Sequence, residues 1–313
     1  MLLTNETTGW VAHKLSLEIS FKFASNRNVL VINETWMEPS IVHVVKTWLS
    51  LDPQYTVIFV CLYDPADNYQ IYQGFTNEEN ARINYINSKD FCFHLLNADR
   101  YFLNYPIETV TPTEFKYNFL CYQRKVSDPR TYLYNLLKSK QGIVTIGNKQ
   151  FDDVNSNIPF YRALRDDPSD NLAVAGDSLS LGNIEIWNQS FLNIVSETLQ
   201  SFESDDAFIT EKTFKPIIGF RPFICFGHPG STRLLKSLGF ETFDEDFGYH
   251  PTSNWKDNAD QLSDIVDNLD AGMFEKLKPK LIHNKNQLAI AARAEWIKVN
   301  KLYEIYLKKG STK

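Results

Sequence analysis

Four cysteines in 313 residues (Cys61, Cys92, Cys121 and Cys225) are too few and too scattered for a disulfide framework or a cysteine-rich metal site. Each lies in or beside an apolar, strand-like run, and none forms a Cys-x-x-Cys pair, which predicts buried, reduced thiols. An excess of positive charge is also missing. The formal net charge is -6, so no overall basic field draws the chain to nucleic acid. No run of about 18 apolar residues occurs, so no spanning helix is expected. The first residues, Met-Leu-Leu-Thr-Asn-Glu, lack a basic region and a small-residue cleavage site, so no signal peptide is expected either. The expectation is a cytoplasmic protein with no membrane partner. Gly-x-Gly-x-x-Gly and Walker-type loops are absent, which removes the usual signatures of nicotinamide and kinase chemistry.

What is present is an α/β alternation. Hydrophobic residues make up 43% and charged residues 22%, the balance of a globular chain long enough for two domains. Buried strands are predicted at 28–32, 55–62 and 91–96, with an amphipathic helix over 39–51 carrying Ile41, Val44, Val45, Trp48 and Leu49 at helical spacing. Residues 10–23 read as a helix. His43 and His94 fall in apolar elements and read as core. A polar, proline-bearing stretch at 106–112 marks a domain boundary. Beyond it the alternation restarts: a strand from Tyr117 ending in Arg124 and Lys125, a helix opened by Asp128-Pro129, a strand at 142–147, an irregular polar region over 149–188, and a strand at 191–195 closed by Ser196-Glu197-Thr198. A helix from Glu211, a strand at 222–226, helices at 231–238 and 258–269, and a helical tail over 273–308 broken near Pro279 and Asn284 complete the reading. The domains expected are 1–112, 113–285 and a C-terminal helix, 286–313, packing back on the first. In parallel sheets ligands gather outside the carboxyl ends of strands. Glu34, Asp64, Arg124, Lys125, Glu197 and Gly227 all fall just after predicted strands.

The most informative stretch runs from Ala207 to Gly227. Thr210 is a good helix N-cap, and Glu211 sits in the first turn, where negative charge suits the helix dipole. Lys212 and Lys215 bring ammonium groups to the same element. Unpaired N–H groups at a helix start, with lysines nearby, suit a phosphate, and the adjacent carboxylate suits a sugar hydroxyl. Asp244-Glu245-Asp246 has the form of an acidic metal motif, two carboxylates at a spacing that suits Mn²⁺ or Mg²⁺ on a diphosphate. His228 follows the strand that ends at Gly227.

Thr-Glu-Lys-Thr-Phe-Lys-Pro-Ile, with the following Pro-Phe-Ile and Gly, resembles the donor-site segment of α-1,3-fucosyltransferases and of the fucosyltransferase-like and exostosin-like proteins of phages. Phe119-Leu120-Cys121-Tyr122-Gln123-Arg124, then Pro129-Arg130 and a Leu-rich helix, also resembles those phage proteins, with Gln123 in place of the usual Asn. The resemblance covers about residues 115–255. It implies an α/β fold of two Rossmann-like domains facing a cleft (GT-B type), and a glycosyltransferase using a UDP- or GDP-sugar donor. Inverting transfer without a metal or other cofactor is expected. The second domain would hold the donor through Arg124, Lys125, Glu197, Thr210, Glu211, Lys212, Lys215, Gly227 and His228. The resemblance puts the diphosphate on Arg124 and sets Glu197 where the Ser-Phe-Glu-Asn glutamate of fucosyltransferases stands. The base would be a first-domain carboxylate, Glu34 or Asp64. The acceptor expected is a carbohydrate hydroxyl or, in a phage host's cytoplasm, a hydroxymethylated base in DNA. A non-catalytic nucleotide- or sugar-binding module is the remaining alternative.

Overall fold

A computed structural model describes residues 2–4, 19–20, 22–24, 28–33, 39–61, 74–87, 90–98, 115–155, 181–197, 207 and 209–309. The chain divides into two compact units, Met1–Asn97 with Arg293–Lys313, and Ala98–Ala292. Both are mixed α/β, and every described strand pair is parallel.

The first unit contains β1 (Leu2–Thr4), β2 (Val29–Asn33), β3 (Thr56–Cys61) and β4 (Ile83–Asn87) in the order β1-β2-β3-β4. Val29 to Ile32 are all buried, the continuous apolar run of a parallel strand covered on both faces. Helix α1 (Pro39–Leu51) lays Val45 and Leu49, flanked by Ile41, Val42 and Trp48, on Leu30, Ile32, Val57 and Phe59. His43 and Val44 face solvent, contrary to expectation, because the stripe set by Val45 and Leu49 turns both outward; His94 is buried as expected. Arg82 ends α1 by donating to the Leu49 and Asp52 carbonyls at 2.9 and 3.0 Å, and α2 (Asn77–Asn80) is a single turn.

The strand expected at 91–96 is instead helix α3 (Phe93–Asn97), and the strand position belongs to β4. Phe91, Phe93, Leu95 and Leu96 are all buried, and periodicity cannot separate a strand from a helix in so short an apolar run. The asparagines inside Ile83-Asn84-Tyr85-Ile86-Asn87 hid the true strand. Of the helix expected over 10–23, residues 19–20 and 22–23 are helical, and the others lie outside the described residues.

The second unit contains β5 (Tyr117–Cys121), α4 (Asp128–Leu137), β6 (Gly142–Val144), α5 (Gly147–Asn155), α6 (Ile184–Gln189), β7 (Ser190–Ser196), α7 (Glu211–Ile218), β8 (Phe223–Phe226), α8 (Ser231–Ser237), α9 (Asp244–Phe247) and α10 (Trp255–Asp267). Its sheet runs β6-β5-β7-β8. Two helices replace part of the irregular region expected over 149–188. Their capping is side-chain chemistry that polarity alone conceals: buried Asn155 accepts the Asn183 N–H, and Asn183 caps α6 through the Glu185 N–H.

Helix α7 ends in a Schellman arrangement, with Arg221 N–H on the Pro216 carbonyl at 2.9 Å and Phe220 N–H on the Ile217 carbonyl at 3.3 Å. Phe220 (φ 53°), not a glycine, takes the left-handed position. Gly219 stands one residue earlier because a Cβ there would come within 2.7 Å of the Trp187 ring. The turn buries Arg221.

The last element, α11 (Met273–Lys309), is one helix of 37 residues, without the break expected near Pro279 and Asn284. Exposed Pro279 forfeits one hydrogen bond in the second turn, while buried Leu277, Leu281, Leu288 and Val299 hold the helix down. Asn284 latches the helix sideways, bonding the Glu241 N–H and carbonyl at 2.8 and 2.9 Å. Among the described residues no helix is long and apolar enough to cross a membrane.

Candidate functional site

Strand order in the second sheet reverses at β5: β6 lies on one side, β7 on the other. Such a reversal leaves a crevice beyond the carboxyl ends of the two central strands, the usual ligand position in open α/β sheets. Gln123, Arg124 and Lys125 follow β5, Glu197 follows β7, and Gly227 and His228 follow β8. The first sheet shows no reversal among its described strands.

Glu197 organises this end of the sheet. It is fully buried, and its carboxylate accepts the Thr210 N–H at 3.0 Å, the Thr210 hydroxyl at 2.6 Å and the Thr213 hydroxyl. Its backbone N–H extends the ladder to the Phe226 carbonyl. Gly227 makes room for it, since a Cβ there would stand 3.0 Å from the Glu197 Cβ. Glu197 therefore fixes the N-terminus of α7, where Thr210 is the N-cap and accepts the Lys212 N–H.

Lys212 turns back over the same turn. Its ammonium donates to Glu211 Oε1 at 2.8 Å and to the Thr210 hydroxyl at 3.3 Å. The Lys212 and Glu211 side chains are 29% and 16% exposed. Desolvation works to lower the Lys212 pKa, but the Glu211 and Glu197 carboxylates outweigh it and hold the ammonium above its ordinary range.

Arg130 is the residue that sequence reasoning passed over as part of a motif. Only 3% exposed, it donates to the Ser196 hydroxyl and carbonyl at 3.2 and 3.1 Å, to the Glu197 carbonyl at 2.9 Å and to the Lys125 carbonyl at 3.2 Å. Burial lowers its pKa, opposed by the Glu197 charge. Ser196 in turn donates to Gln123 Oε1 at 3.4 Å, and the Thr145 hydroxyl accepts the Gln123 N–H at 3.1 Å. Four formal charges, Arg130 and Lys212 against Glu197 and Glu211, thus sit close together in balance.

Glu197, Thr210, Glu211 and Lys212 are joined directly, Gly227 packs on Glu197, and Lys125 is linked through its carbonyl and Arg130. Arg124 leans toward α5, donating to Asn148 Oδ1 at 3.1 Å with its guanidinium 5.8 Å from the Phe151 ring centroid. His228 Nδ1 accepts the Gly230 N–H at 3.0 Å. Lys215 lies in the last turn of α7. Glu34 and Asp64 lie outside the described residues.

Each carboxylate of the acidic triplet has a partner of its own: Asp244 takes the Thr232 hydroxyl at 2.6 Å, Glu245 pairs with Lys236 at 3.0 Å and Asp246 with Lys280 at 2.7 Å. Desolvation raises the Asp244 pKa. Among the described residues no group of three or more His, Cys, Asp or Glu is placed to hold a metal ion. Burial pushes the Cys121 thiol up to about 12 and Cys225 well above its ordinary value, which disfavours the thiolate form of both. Comparison of the chain with protein-family models, with curated proteins and with solved structures gave no match.

Proposed function

We propose that the protein is a glycosyltransferase of the GT-B type that moves a sugar from a UDP- or GDP-sugar to an acceptor hydroxyl, acting in the cytoplasm. One observation carries the reading: the N-terminus of α7, with Thr210, Glu211 and Lys212, is clamped by buried Glu197 beside the strand-order reversal. Helix N–H groups and the Lys212 ammonium suit the diphosphate, and Glu211 suits a ribose hydroxyl. Arg124 and Lys125 add cations from the neighbouring loop. Transfer is inverting: a base from the first unit, Glu34 or Asp64, takes the acceptor proton. The cations and the helix dipole stabilise the leaving diphosphate, so no metal is needed.

Titration of the full chain with UDP and GDP tests the donor site. Lys212→Ala should weaken binding of the preferred diphosphate by about 1.5–3 kcal/mol, the scale of a hydrogen bond to a charged group. Unchanged affinity in the folded variant overturns the assignment. Turnover should also survive EDTA. Complete loss restored by Mn²⁺ would make the reaction metal-dependent and promote Asp244 and Asp246 to ligands.

A further inference from the structure

We propose that Arg130 is a positioning residue that holds the Arg124–Lys125 loop and the N-terminus of α7 at the separation one diphosphate requires. The inference rests on the donor-site reading above. A guanidinium carries five N–H donors in a rigid plane, and four are committed: to the Ser196 hydroxyl, the Ser196 carbonyl, the Glu197 carbonyl and the Lys125 carbonyl. Arg130 is therefore a brace, buried to 3% exposure, rather than a phosphate ligand.

What it braces gives it this role. The Lys125 carbonyl belongs to the loop that leaves β5 with two cations. Ser196 and Glu197 end β7 on the other side of the reversal in strand order. Glu197 then holds Thr210 and Thr213, the first turn of α7. One side chain thus joins the segments that leave β5 and β7 beyond Leu120 and Asn193, the last paired residues of the ladder between those strands. A lysine has the charge but not the fork: one ammonium cannot reach four acceptors spread over two segments. Losing the brace should leave each cation in place on its own segment and spoil their convergence.

The predicted signature is therefore a split between ligands. A diphosphate needs both segments, whereas a monophosphate of the same nucleoside needs one. Calorimetric titration of wild type and Arg130→Lys with UDP, UMP, GDP and GMP reads the ratio of diphosphate to monophosphate affinity. The ratio for the preferred base should fall about tenfold in Arg130→Lys, an effect on the scale of one charge-assisted contact. A merely structural role would lower both affinities together and leave the ratio unchanged, and that result overturns the proposal while the donor-site reading stands. Failure of wild type to bind any of the four nucleotides is a different outcome, which removes the donor-site reading and this inference with it. Should Arg130→Lys fail to fold, Ser196→Ala removes the hydroxyl that takes the Arg130 Nε–H and donates to Gln123 Oε1, leaving the other Arg130 bonds in place. It should lower the same ratio about threefold, as loss of one hydrogen bond would. An unchanged ratio in that variant overturns the proposal equally.

Discussion

Glu197→Ala is expected to lower the stability of the protein by about 3–5 kcal/mol, the loss typical when one member of a buried charge pair is removed. Three donors lose their acceptor at once: the Thr210 N–H and the Thr210 and Thr213 hydroxyls. Arg130 is left buried without the carboxylate that offsets its desolvation. Against this stand the freed side chain and the relieved desolvation of one carboxylate, which the stranded donors and the unpaired Arg130 charge outweigh. The denaturant midpoint reads the effect directly. Glu197→Gln, which keeps the shape and one acceptor, should fall between the two. A midpoint for Glu197→Ala equal to that of wild type would show that the carboxylate does not anchor α7.

Much of this site was legible in the sequence because its parts are local. Thr210 as N-cap, Glu211 in the first turn and the buried run Phe223–Phe226 follow from neighbours within a few residues. The alternation of β5, α4 and β6 follows likewise from apolar periodicity and from the proline in the first turn of α4. Arg130 was not legible as a brace, since its acceptors at Ser196 and Glu197 lie 66 and 67 residues away. The resemblance sets Glu197 among the donor-binding residues, but what decides its role is the arrival of Thr210 and Thr213 at its oxygens. The strand expected at 91–96 failed for another reason. Full burial on every side erases the periodicity that distinguishes strand from helix.

Arg221→Met should be the second large loss, at least about 3 kcal/mol. Arg221 is 1% exposed and donates to the carbonyls of Trp187, Ser190, Gly219 and Phe220. Its guanidinium also lies 5.8 and 5.9 Å from the ring centroids of Phe115 and Phe274. Methionine keeps the ring contacts and relieves the desolvation of a charge. It removes a donor from the Ser190, Gly219 and Phe220 carbonyls, however, while the Trp187 carbonyl keeps the Ser190 N–H, and each buried carbonyl left short costs about 1–3 kcal/mol. The carbonyls outnumber the single charge, so the loss wins. Burial brings the Arg221 pKa from 12.5 down to about 10. Between those values the unfolded chain binds more protons at this site than the folded one. The contribution of Arg221 to stability therefore rises with pH across that window, and the methionine variant should lack the rise. Equal midpoints for the variant and wild type at neutral pH would refute the carbonyl argument.

The long final helix has a bearing on how the chain is made. Residues up to Ala292 belong to the second unit, and Arg293 onward to the first. Within the first unit, Glu295 accepts the Cys92 N–H at 2.6 Å, and Phe23 meets the rings of Tyr303 and Tyr306. The first unit therefore lacks part of its own core until the residues from Arg293 onward are translated. At about 5–20 residues per second, the intervening 98–292 segment takes roughly 10–40 s to appear. The contiguous second unit has all its parts by then and is free to fold ahead of the unit that precedes it. For that interval Phe23 and the Cys92 N–H are without their partners in the first unit, the stage of biogenesis at which a chaperone would find the most to bind.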